Sequence, residues 1–359
     1  MSQSQRIDML QTRCGQYNMP FEAAWTAADL MQTDVKTLTL DDSVKKSLDL
    51  MHVCKIRHIP VMDTPEGGGK PVFVGVISQR DVLRLKTPEA GAAGTDDLDP
   101  KALRELLARI VTRNPITVEP AARIEEVITT LIANHIDMLP VLHDAAVVGL
   151  ITATDLVRLL TRLGKTLTEL LARESGGSIP LHERPSAELW ALSQTTVQNV
   201  MARQAASMTE EEPLLQAIEL LKKRKFRHLP IVDAANRLVG IVSDRDILRR
   251  LPYMGVRPAR TREFRQDLFR VGPRTRSLEL RMADIMTRDV HVVSPDENIF
   301  EAARLMLRLK VSCLPAVAPD KTLNGILTQT DLLRFVLGIY ETPPQEDAAP
   351  KRAKLQSHT

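Results

Sequence analysis

A short apolar stretch ending in Pro recurs four times, and a chain that repeats itself folds into repeated units. The copies are Arg57-His58-Ile59-Pro60, Asp137-Met138-Leu139-Pro140, Arg227-His228-Leu229-Pro230 and Ser312-Cys313-Leu314-Pro315. Sixteen residues before each Pro stands an aliphatic residue: Val44, Ile124, Leu214 and Ile299. Four and seven residues further on come Leu48 and Met51, Ile128 and Leu131, Ile218 and Leu221, Ala303 and Met306. That spacing is the buried stripe of an amphipathic helix. Twenty-nine residues before each Pro lies an apolar anchor: Met31, Val111, Met201 and Met286.

A β-rich run, a turn and then Gly-x-x-[Ser/Thr]-x-x-Asp follow each Pro. The four instances are Gly75/Ser78/Asp81, Gly149/Thr152/Asp155, Gly240/Ser243/Asp246 and Gly325/Thr328/Asp331. Each opens a second amphipathic helix. The Pro-to-Gly distance is nine or ten residues in three copies and fifteen in the first. The excess is the Gly- and Pro-rich stretch 64–71, and insertions belong in such surface turns. Each unit therefore reads strand, helix, strand, strand, helix. A unit of about 55–60 residues is small to bury its own sheet face, and pairing two units solves that problem. The first and third copies share Arg-His-[Ile/Leu]-Pro and Ser-x-Arg-Asp; the second and fourth share Thr-x-Thr-Asp. The pattern is a duplicated pair.

This pattern resembles the CBS motif in its tandem arrangement, the Bateman module. Four motifs on one chain are similar to the γ subunits of AMP-activated protein kinase and to bacterial four-CBS regulatory proteins. The resemblance implies an α/β fold of four CBS units paired as two Bateman modules. The units span 28–86, 107–163, 197–251 and 281–338. Residues 1–27 are then an N-terminal segment, 164–196 an inter-module linker, 252–280 an Arg-rich linker and 339–359 a disordered tail. The two modules stack within one chain as a disk, or two chains pair as a homodimer.

The four Ser/Thr-x-x-Asp pairs have two readings. Ser or Thr before a helix with an acid three positions on is a capping box, and Asp in the first turn also suits the helix dipole. That reading does not explain why the acid is Asp four times and never Glu. The other reading is a ligand site: a carboxylate fixed at a helix start accepts hydrogen bonds from both hydroxyls of a ribose. In the resembling family this Asp holds ribose, which implies ribose-binding roles for Asp81, Asp155, Asp246 and Asp331. It implies hydroxyl or phosphate contacts for Ser78, Thr152, Ser243, Thr328, Thr154 and Thr330. The residue three before each Pro lies near the phosphates in that family. Arg57 and Arg227 stand there, with His58 and His228 beside them, and Arg80 and Arg245 precede two of the aspartates. These six are the phosphate-binding candidates. Asp137 at the same position repels phosphate unless its charge is paired. The implied ligand is an adenine nucleotide, AMP, ADP or ATP, acting as a regulatory signal and not as a catalytic cofactor.

Composition bounds the alternatives. Lys plus Arg number 48 against 45 Asp plus Glu, a net charge of +3, too little for a chain-wide polyanion binder. Aromatics at 3% argue against a reader that stacks bases on rings, so a nucleic-acid partner is not expected. Three cysteines, Cys14, Cys54 and Cys313, are odd in number and widely spaced; they read as free thiols in a reducing compartment. No apolar run reaches the roughly 18–20 residues of a membrane span, and the expected location is the cytoplasm. His52, Cys54 and His58 do not match metal-site spacings, and no catalytic triad, phosphate loop or acid pair can be assembled. An enzyme is not expected.

The segment 257–281 carries eight Arg against Glu263, Asp267 and Glu279, a local charge of +5 (8 − 3). It is either a solvated, ion-paired segment or a docking patch for an acidic partner. The expected function is non-catalytic regulation: nucleotide binding between paired units shifts their packing, and an unidentified regulated protein reads the shift. The alternative is a ligand-free CBS scaffold or dimerisation protein that docks its partner through 257–281.

Overall fold

The computed structural model describes residues 25–65, 69–83, 107–175, 187–224, 226–250 and 280–338. The N-terminal segment up to residue 24, almost all of the Arg-rich linker and the tail 339–359 lie outside the described residues. The fold is α/β, in four copies of one unit. The first contains α1 (Ala27–Leu30), β1 (Leu38–Thr39), α2 (Val44–Cys54), β2 (His58–Asp63), β3 (Val72–Ser78) and α3 (Gln79–Leu83). The second opens with a 3-10 turn (Leu107–Arg109) and continues through β4 (Thr112–Arg113), α4 (Ile124–Ala133), β5 (Met138–His143), β6 (Ala146–Thr152) and α5 (Ala153–Ser175). The third holds α6 (Ala187–Ser193), α7 (Val197–Val200), β7 (Ala202–Arg203), α8 (Leu214–Arg224), β8 (His228–Val232), β9 (Leu238–Ser243) and α9 (Asp244–Arg250). The fourth holds α10 (Met282–Ile285), α11 (Ile299–Leu309), β10 (Cys313–Val317), β11 (Leu323–Thr328) and α12 (Gln329–Val336).

The repeated Pro sits inside the first strand of each antiparallel pair, opposite Val76, Leu150, Ile241 and Ile326. A strand interior tolerates Pro only where no N–H is needed. In the second unit both backbone groups of Leu150 point away from Pro140, to Gln32. On its other side Pro140 offers only its carbonyl, which accepts from Val118 N–H at 3.1 Å. Pro230 and Pro315 make the same bond with Met208 and Val293.

The start of each unit crosses to its neighbour. Gln32 bridges to Leu150, Thr112 pairs with Val76, Ala202 with Ile326 and Thr287 with Ile241. Farther along, Leu38, Val118, Met208 and Val293 return to their own unit, parallel to its Pro-bearing strand. This exchange buries Met201, half-buries Met31, Val111 and Met286, and accounts for the four motif glycines. A Cβ on Gly149 would lie 2.4 Å from Met31 Sδ; on Gly240, 2.5 Å from Met286 Sδ; on Gly325, 2.9 Å from Met201 Sδ. On Gly75 it would lie 2.2 Å from the Thr112 carbonyl oxygen. Units one and two thus form one module, and units three and four the other.

The two modules pack on each other within one chain. Helix α5 lies against α11 and α12. Val157, Leu160, Leu163 and Leu167 enter the core of the fourth unit with Ile299, Phe300 and Met306. In return Leu333 and Leu337 enter the core of the second unit with Leu139 and Ile151. Gly164, read above as the start of a linker, lies instead inside α5. Its missing side chain admits the Phe300 ring, which a Cβ there would meet at 2.5 Å. Among the described residues, units one and three have separate cores and touch through α3 and α9. No helix among the described residues is long and apolar enough to cross a membrane.

Candidate nucleotide site

All four motif aspartates sit in the first turn of the second helix of their unit, and all four carboxylates take the same bonds. Asp81 Oδ2 accepts from the Ser78 amide at 2.7 Å and the Ser78 hydroxyl at 2.6 Å. Asp155 Oδ2 accepts from Thr152 at 2.9 and 2.6 Å, Asp246 Oδ2 from Ser243 at 2.8 and 2.5 Å, and Asp331 Oδ2 from Thr328 at 2.8 and 2.6 Å. In the first, third and fourth units the hydroxyl accepts in turn from the Asp amide at 3.3 Å. The capping box is therefore complete in the first, third and fourth units, and in all four the hydroxyl proton of Ser78, Thr152, Ser243 or Thr328 goes to a carboxylate. Asp81, Asp155 and Asp331 are buried; Asp246 is half-buried.

The capping bonds use one carboxylate oxygen and leave Oδ1 for the surroundings. Asp155 Oδ1 accepts from Gln32 Nε2 at 3.0 Å and from Arg158. Asp331 Oδ1 meets Arg334 at 3.4 Å. Burial pushes the Asp331 carboxyl above its ordinary pKa, and the Thr328 bonds and the Arg334 charge only partly offset it. Burial also pushes the Cys313 thiol up to about 12, so it is a packed core group.

The helix starts lie against the residues three before each Pro. The first-turn amides of Gln79, Ala153, Asp244 and Gln329 donate to the carbonyls of Arg57, Asp137, Arg227 and Ser312 at 2.8–3.0 Å. Those four amides are committed to the backbone. The Arg227 side chain reaches across the modules: it pairs with Asp137 and donates to the His135 carbonyl at 2.8 Å. Asp137 thus has its charge paired, and Arg227 is engaged by a carboxylate of another unit. His228 Nε2 lies 3.2 Å from Ser312 Oγ, joining units three and four. Gln329 Nε2 donates to Thr154 Oγ1 at 3.5 Å, joining units four and two. Arg57, His58 and Arg245 are half-buried, Thr330 is exposed, and the Arg80 side chain lies outside the described residues. Among the described residues no three His, Cys, Asp or Glu side chains gather as metal ligands.

Two sets of residues escaped sequence reasoning. One is the crossing-strand residue that follows each anchor: Gln32, Thr112, Ala202 and Thr287. Each pairs with the residue five before an Asp of the neighbouring unit, so the four share one register position, and from it Gln32 bonds Asp155. The other is Arg three positions after each Asp: Arg84, Arg158, Arg249 and Arg334. Its fourfold recurrence was the available signal.

The CBS domain profile matches residues 27–87, 107–162, 197–253 and 282–338, more than half of the chain. The chain belongs to the CBS-domain family. Among relatives, protein MJ1225 of Methanocaldococcus jannaschii is 23% identical over 301 residues, 82% of this chain and 92% of that one. Its crystal structure, described as that of a candidate archaeal homologue of the γ subunit of AMP-activated protein kinase, superposes with a TM-score of 0.57 at 22% identity, covering 87% of this chain and all of that one. The γ-3 subunit of 5′-AMP-activated protein kinase of Bos taurus is 23% identical over 342 residues, 92% of this CBS chain and 62% of that subunit. The Arabidopsis thaliana protein CBSX2, crystallised with AMP, is 30% identical over a region covering 41% of this chain and 98% of its own, with a TM-score of 0.32.

Proposed function

We propose that this four-CBS chain is a non-catalytic regulatory protein of the cytoplasm. It senses adenine nucleotides (AMP, ADP or ATP) in the clefts between paired units and passes the change to a protein partner. The observation that carries this reading is the repeated cross-unit geometry. Each helix start follows a strand that pairs with a crossing segment of the neighbouring unit, so a ligand held there is flanked by both halves of a module. Asp81, Asp246 and Asp331 are assigned to the ribose hydroxyls, with Oδ1 as the accepting atom. The basic groups Arg57, His58, Arg80, His228 and Arg245 are assigned to phosphate. Arg227 joins them by exchanging Asp137 for a phosphate oxygen. The γ-3 subunit, similar over most of this chain, is named for its AMP-activated kinase, and that supports an adenine ligand here.

A ligand that bridges two units shifts their packing only by its difference in affinity for the two arrangements. One observation favours a second reading, the ligand-free scaffold. All four carboxylates take their capping bonds from the chain itself, so the fold needs no ligand at these positions. A thermal-shift panel with AMP, ADP, ATP, NADH and S-adenosylmethionine separates the two. A ligand at 100 times its dissociation constant adds about 2.7 kcal/mol to the native state. The sensor predicts a raised melting temperature with an adenine nucleotide. No shift with any of the five, in protein shown to be nucleotide-free, favours the scaffold docking through 257–281.

A further inference from the structure

The four carboxylates share a cap and share an Arg three positions on, yet the crossing-strand residues of the neighbouring unit differ. At the register position five before the Asp stand Thr112 for Asp81, Thr287 for Asp246 and Ala202 for Asp331. Gln32 faces Asp155, and of these four residues it has the longest side chain. Its backbone is fixed: Gln32 N–H donates to the Leu150 carbonyl at 2.8 Å, and Leu150 N–H donates back at 3.0 Å. From that position its amide reaches the helix start and donates to Asp155 Oδ1 at 3.0 Å. Arg158 holds the same oxygen. Oδ2 already carries both capping bonds. The Asp155 side chain is only 4% exposed, so its bonds come from the protein.

We infer that Gln32 is a specificity-determining residue: its amide occupies the place of the ribose hydroxyls at Asp155, so this site is filled by the chain itself. The inference rests on the ribose role proposed for the motif aspartates. The chemistry is a substitution of like for like. A ribose diol and a carboxamide both present hydrogen-bond donors to a carboxylate oxygen. The amide is already in place and loses little freedom on binding, whereas a ligand must lose its translational freedom to displace it. Thr and Ala at the equivalent positions are too short to make the same bond from the same backbone. The site at Asp155 is therefore closed by the chain's own amide.

The test counts AMP bound per full-length chain, by native mass spectrometry and equilibrium dialysis. The variants are Gln32→Thr, which installs the residue found at that register position for Asp81 and Asp246, and Gln32→Thr combined with Asp155→Asn. The expected result is one additional AMP in Gln32→Thr, lost again in the double variant. An unchanged or reduced count in Gln32→Thr overturns the inference. If neither wild type nor variants bind AMP, the nucleotide-sensing reading fails, and the Gln32–Asp155 link is read from melting temperatures. The two substitutions should then shift the melting temperature non-additively; additive shifts would show that Gln32 does not hold Asp155.

Discussion

Burial and hydrogen bonding pull the Asp331 carboxyl in opposite directions, and burial prevails. Its folded pKa therefore lies above its unfolded value. Between the two values the native state binds more protons than the unfolded chain, so this group's contribution to stability falls as pH rises through that window. Asp331→Asn keeps the shape and removes the titration. Wild type should gain stability relative to Asp331→Asn as pH is lowered from neutral toward about 4, the ordinary carboxylate value. Urea denaturation at several pH values reads the difference, and a wild type that loses ground on acidification would contradict it. At this scale the Asp motif was legible because it recurs at fixed spacing. Gln32 was not, because its importance lies in reaching a residue of another unit, and nothing local marks that. The Arg227–Asp137 pair was half legible: the sequence posed Asp137 as a charge in need of a partner, and the partner came from the other module.

At the scale of elements, the repeated Pro and Gly are two sides of one strand-pairing scheme. Pro stands where the ladder asks for no N–H, and Gly stands where the neighbouring unit's anchor crosses. The cost of filling that crossing depends on what is met there. At Gly75 a Cβ meets the Thr112 carbonyl oxygen at 2.2 Å, which is backbone and cannot swing aside. At Gly240 it meets Met286 Sδ at 2.5 Å, the far part of a flexible side chain. Gly75→Ala should therefore destabilise more than Gly240→Ala, with overpacking costs of about 1–3 kcal/mol. Chemical denaturation of the two variants checks the order, and equal losses would remove the crossing strands from the explanation. The amphipathic helices and the strands around each Pro were legible from period alone. The crossing strands were not: β4 and β7 are two residues long, too short to carry a period. Gly164 misled for a related reason. Gly ordinarily marks a turn, but here it serves close helix packing against Phe300, a tertiary demand that overrides its local preference.

Across the whole molecule the two seams between modules are unlike. Units two and four exchange helix residues and share apolar cores. Among the described residues, units one and three keep cores of their own and meet through α3 and α9. A shared core is costly to open, since each buried side chain taken out of it loses about 1.5–3 kcal/mol. Asp81 and Asp246 stand in the first turns of the helices that meet at the seam between units one and three. Paired repeats were foreseeable from four copies of a unit too small to stand alone; which units share a core was not, because it depends on the length of α5. The central claim is that adenine nucleotides bind at the cross-unit helix starts. Isothermal titration of AMP into wild type and into the Asp81→Ala/Asp246→Ala/Asp331→Ala triple variant, with folding of both verified by circular dichroism, tests it most directly. A hydrogen bond to a charged group is worth about 1.5–3 kcal/mol, so affinity should fall at least about tenfold in the folded variant. Equal AMP affinity in the two proteins would leave the aspartates as helix caps and contradict the account.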